Sequence, residues 1–139
     1  MRAWRQLWER GRVEEVARDV EAASHERLVV AQLPAGATRA SIDFDNSIRL
    51  EGWEAPAQMR RGERARVVLY FRCLHAIEHD WRIFVHGDSL SNSEAPRIAL
   101  DHFPGRDADS TRQWKEGELV RDECEISIPT DYSAREVVL

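Results

Sequence analysis

The sequence predicts an all-β antiparallel sandwich, Ig-like or jelly-roll-like in layout, of about seven to nine strands. Three observations point there. Runs of β-branched and aromatic residues are short and recur through the chain. Turn chemistry separates them at Pro34-Ala35-Gly36, Glu54-Ala55-Pro56, Arg60-Arg61-Gly62-Glu63, Pro104-Gly105, Glu116-Gly117 and Pro129-Thr130-Asp131. One run alternates, with Cys124, Ile126 and Ile128 on one face and Glu123, Glu125 and Ser127 on the other.

A chain of 139 residues fits one domain. A chain of that size buries roughly 70% of its unfolded surface, so it needs no disulfide or metal to fold. Apolar residues at 42% and charged residues at 32% argue against wholesale disorder. A net charge of -5 argues against a general nucleic-acid binder, which needs a basic surface. No stretch approaches the ~20 apolar residues of a membrane span, and the N-terminus has no apolar signal-peptide core. Lys115 is the only lysine, so arginine supplies nearly all the cations. Its fixed fork suits carboxylate pairing, while a GC-rich genome would give the same bias.

Residues 1–24 read as a helical segment. Trp4, Leu7 and Trp8 share one helical face, and Val13, Val16, Ala17 and Val20 continue a stripe beyond Gly11. The segment is expected to pack on the domain, with a membrane surface or a partner as the other use of its tryptophans. Residues 25–139 form the sandwich. Its strands are expected at 28–31, 48–53, 64–73, 81–86, 97–103 and 119–128, with a last one opening at Glu136. That last run stops on Val137-Val138-Leu139, which reads as a truncated C-terminal strand.

Several constellations are candidates for chemistry. Asp43-Phe44-Asp45-Asn46-Ser47 begins like a calcium loop, but Ile48 stands where the sharp turn needs glycine, so an Asx turn is expected. His86 and Asp88 end one strand, and Asp101 and His102 end the next. Were those strands antiparallel neighbours, two imidazoles and two carboxylates would be free to converge on a divalent metal. The structural reading is that His86 and Asp101 pair across strands and pin the loop. Trp53 and Trp114 are candidates for stacking on a sugar ring, and Trp81 is expected in the core. Cys73 and Cys124 lie in separate strands, as two buried thiols or as one bridge if those strands face closely. No nucleophile elbow and no phosphate-binding glycine loop is present. No catalytic residue and no cofactor is expected.

Six ordered segments resemble a β-sandwich domain of bacterial polytopic membrane proteins of the glycosyltransferase type. Phe44-Asp45-Asn46-Ser47-Ile48-Arg49-Leu50-Glu51-Gly52-Trp53 is similar to that family's F-D-x-x-I-x-L-x-G-W/Y opening. Arg61-Gly62-Glu63 with Val67-Val68-Leu69-Tyr70-Phe71 resembles its P-G-E and L-x-L-Y-W elements. Trp81-Arg82-Ile83-Phe84-Val85-His86 resembles Y-x-V-F-V-H. Asp101-His102 and Pro104 match a Q-H-D-x-x-P stretch with the acid and histidine exchanged. The run from Thr111 through Trp114 and Gly117-Glu118 to Asp122 resembles T-x-x-W-x-P-G-E-x-V-x-D, and Pro129 closes the next strand.

The resemblance implies an accessory domain on the extracytoplasmic face of the membrane, with no catalytic residue of its own. The expected function is non-catalytic contact with glycan, lipid-linked sugar or the rest of a membrane parent protein. Two alternatives stand beside it: a free-standing carbohydrate-binding module, and a small metal-dependent enzyme using His86, Asp88, Asp101 and His102.

Overall fold

The run Arg64–Cys73 explains the architecture. Five consecutive residues from Val67 to Phe71 are β-branched, aliphatic or aromatic, and a strand buried on both faces needs such a run. In the computed structural model, which describes residues 27–105 and 109–139, this segment is a ten-residue central strand. In chain order the strands are β1 (Val29–Val30), β2 (Thr38–Phe44), β3 (Ile48–Glu54), β4 (Arg64–Cys73), β5 (His86–Gly87), β6 (Ile98–Ala99) and β7 (Leu119–Ser127). A single 3-10 turn covers Thr111–Gln113.

Five strands form one antiparallel sheet in the order β1-β7-β4-β3-β2. β5 and β6 form a separate two-stranded ladder. The described residues are thus mostly β and antiparallel, with seven strands, as the spacing predicts. A closed sandwich of two full sheets is not among them. The helical reading of residues 1–24 lies outside the described residues.

The expected strands at 81–86 and 97–103 do align antiparallel, from Ile83 opposite His102 to Gly87 opposite Ile98. Ladder pairing is confined to one end, His86 opposite Ala99 and Gly87 opposite Ile98, and Ile83 and His102 form an isolated bridge at the other. Glu136–Leu139 keeps a single bridge, Val138 to Asp88.

β2 was not expected. Its apolar residues Ala40, Ile42 and Phe44 alternate and pack against the core, but Thr38 and Arg39 before them and Ser41 and Asp43 between them give it the texture of a loop. The β2–β3 turn replaces the calcium-loop reading. Asp45 and Asn46 have φ of 51 and 53, and the Ser47 N–H donates to Phe44 O. Paired left-handed residues make the hairpin turn that matches strand twist, and Asp and Asn tolerate that region best after glycine.

The core lies on one face of the sheet. Val67, Leu69, Phe71 and Cys73 of β4 join Ile83 and Val85 from the segment before β5, Ile98 of β6, and Val120 and Ile126 from β7. Each fully buried side chain of this size stabilises the fold by about 1.5–3 kcal/mol. The opposite face carries a smaller cluster, Val68, Tyr70 and Leu119, covered by Val30, Leu33 and Ala37. Gly52 permits that cover. A Cβ there would stand 2.8 Å from Thr38 O and 2.7 Å from Leu33 Cδ1. Around this cluster, arginine forks close on carboxylates: Arg72 on Glu51, Arg49 on Asp43 and Arg27 on Glu118. The arginine bias is therefore used for bidentate pairing.

Candidate functional site

Strand alternation decides the fate of the four His and Asp candidates. Successive residues of a strand point to opposite faces. On the segment ending at Phe103, His102 therefore turns inward and Asp101 outward. His102 Nε2 meets Asp122 Oδ2 at 2.6 Å, and His102 Nδ1 meets Leu100 O at 2.6 Å. Asp122 is 1% exposed, and its other oxygen accepts from the Gly105 N–H at 2.9 Å. A carbonyl only accepts, so Nδ1 is the donor to Leu100 O while Nε2 faces the carboxylate. This pair fastens the ladder to β7.

Asp122 was missed by sequence reading, though the signal was present. Carried one step back, the alternation of Cys124, Ile126 and Ile128 puts Asp122 on the apolar face. A carboxylate at an inward position demands a buried partner.

On the outer side, His86 Nε2 lies 3.0 Å from Asp101 Oδ1. That oxygen is buried and has no aligned hydrogen bond among the described residues. Arg97 closes a bidentate fork on Asp88 at 2.8 and 2.9 Å and reaches His86 Nδ1 at 3.3 Å. The four candidates are thus split between an inner pair and an outer group held by Arg97. Among the described residues no three potential metal ligands converge. The convergent metal set of the enzyme reading is corrected on this point: antiparallel pairing brings His86 and Asp101 together but sends His102 to the other face.

Trp114 is corrected as a sugar-stacking candidate. It is 3% exposed, tilts at 33° against Phe71 with ring centroids 6.2 Å apart, and donates from Nε1 to Asp109 Oδ2 at 3.1 Å. The 3-10 turn after the polar loop rolls the ring inward. Trp81 is half-buried against the core, and its backbone N–H donates to Thr111 Oγ1, which in turn donates to His79 O.

Trp53 has a different setting. It is half-buried at the end of β3 and lines a cavity of about 910 Å³. Met59, Ile128, Tyr132, Val137 and Leu139 line the same groove. Two stretches distant in sequence build it. Gly62 N–H donates to Ile128 O at 2.7 Å and Ile128 N–H to Glu63 O at 3.0 Å, joining the turn after β3 to the end of β7. Farther along, Glu136 accepts from Ser89 Oγ at 2.7 Å and from the Ser91 N–H at 2.9 Å, which holds the C-terminal segment in place. Those serine bonds hold the Glu136 carboxyl down at about 2.

Tyr132 is 3% exposed, and its hydroxyl is buried without a hydrogen-bond partner among the described residues. Such a group costs about 1–3 kcal/mol when left unmatched. Burial raises the pKa of the phenol, with Asp88 and Glu136 adding to it, so it stays neutral. Arg61 and Arg135 are exposed at the same groove, and neither has a hydrogen-bond or ion-pair partner among the described residues. Tyr132 and the two arginines carried no sequence signal, since only the fold brings them beside Trp53.

The thiols are free. Cys124 faces Val67 across the ladder while Cys73 faces Ile48, so they sit six β4 positions apart, about 20 Å, and a bridge is excluded.

No protein-family model matches the chain, and no curated protein or solved structure matches it.

Proposed function

We propose that the chain is a non-catalytic binding domain that holds a glycan in the groove of Trp53 and Tyr132. One observation carries this reading: an aromatic ring, an apolar floor and a buried phenol with an unused hydroxyl line one cavity. An indole face such as that of the half-buried Trp53 packs on the apolar face of a pyranose. The titratable groups that the fold brings together are engaged structurally, His102 with Asp122 and, at the groove, Glu136 with two serines, which favours binding over catalysis.

The ordered motifs support placing the domain beside a membrane-associated glycosyltransferase-like parent, on the extracytoplasmic side. In that setting the β5–β6 ladder serves as the second layer of a sandwich.

Calorimetric titration of the full chain with a panel of neutral and acidic oligosaccharides tests the binding reading. Binding that Trp53→Phe weakens at least about tenfold, a loss of ~1.4 kcal/mol, is the expected result. A folded protein that gives no heat with any member of the panel overturns it. A turnover of glycan by the domain alone overturns its non-catalytic part.

A further inference from the structure

The groove has a charge pattern that a neutral sugar does not use. Arg61 and Arg135 line it as exposed guanidinium groups without a partner among the described residues. Elsewhere in this chain arginines close on carboxylates as forks, as Arg27, Arg49, Arg72 and Arg97 do. The acid that lines the groove, Glu136, has its oxygens turned to Ser89 and Ser91. Two cationic forks therefore stand beside an apolar floor and an unmatched neutral phenol, in a protein whose overall charge is -5. A local reversal of sign against the net charge is a selective feature of the groove.

We infer that the glycan held in this groove carries a carboxylate, as in a uronic acid, and that Arg61 and Arg135 bind it while Trp53 takes the ring. The inference rests on the glycan reading of the groove and adds its ligand class. A guanidinium presents two parallel N–H donors that match the two oxygens of a carboxylate. Such contacts are sensitive to salt, whereas stacking is not.

The test uses the full chain and matched probes: oligogalacturonate, oligomannuronate and hyaluronan fragments, each beside its methyl ester. Galactose 1-phosphate forms a further arm that separates carboxylate from phosphate recognition. The acid forms are expected to bind at least about tenfold tighter than the esters, with the gap closing in high salt. Arg61→Gln with Arg135→Gln should abolish that gap, and both sites are exposed, so the variant should fold. Equal binding of acid and ester overturns the inference and leaves the glycan groove standing. Preference for the sugar phosphate over every uronate also overturns it. No binding of either form by the folded protein overturns both.

Discussion

His102 and Asp122 meet at 2.6 Å inside the protein, and the two residues come from segments 20 positions apart. With its second nitrogen on Leu100 O, His102 has no free edge for a ligand. The geometry makes this pair a fastening between the ladder and β7. Removing one partner leaves the other buried and uncompensated. Asp122→Ala should therefore lose about 3–5 kcal/mol of unfolding free energy in urea. His102→Asn should lose a similar amount, and the double variant less than the sum. Additive losses would show that the two side chains act separately.

Tyr132→Phe removes a hydroxyl that has no partner in the fold. Its stability should stay level or rise by about 1 kcal/mol, because an unmatched buried group is lost. A fall of that size in thermal or urea unfolding would show that the hydroxyl has a protein partner.

Gly52→Ala sets a new methyl against Thr38 O, a backbone atom that moves only with β2. The expected loss is about 1–3 kcal/mol, read from the urea midpoint. An unchanged midpoint would show that residues 33–38 lie looser on the sheet than the contacts imply.

Glu136 supplies a pH dependence of known sign. Its folded value of about 2 lies below the ordinary 4.5 because Ser89 and Ser91 donate to the ionised form. A depressed carboxyl contributes stability above its unfolded value and loses it as pH falls through the folded one. The melting-temperature gap between the native protein and Glu136→Gln should be constant above pH ~5 and vanish near pH ~2. A gap that grows on acidification would contradict the serine clamp.

Both thiols should resist alkylation in the folded protein. Burial, with Asp122 and Glu123 beside it, pushes the Cys124 thiol up to about 12. Burial likewise raises Cys73, whose thiol donates to His75 O at 3.1 Å. Iodoacetamide at pH 8 should label them only when denaturant is added. Rapid labelling of the native chain would show that one end of β4 or β7 opens readily.

Much of the sheet was legible because it is local. The Val67–Phe71 run, the β7 alternation and the glycine and proline turns each announce themselves within ten residues. β2 was not legible, since its polar residues hide a three-residue apolar stripe. Of the candidate site residues, Trp53 lines the groove, while Trp114 is rolled into the core by the turn before it.

The sequence alone determined the β class, the strands β3, β4 and β7, and the residues available to pair. The tertiary structure alone decided which histidine meets which acid, that four chelation candidates fall on two faces, and that Trp53, Arg61, Tyr132 and Arg135 share a groove. The reason is range. Alternation and turn chemistry act between neighbours, whereas partner choice depends on strand order and on parity across the ladder, which no single segment carries.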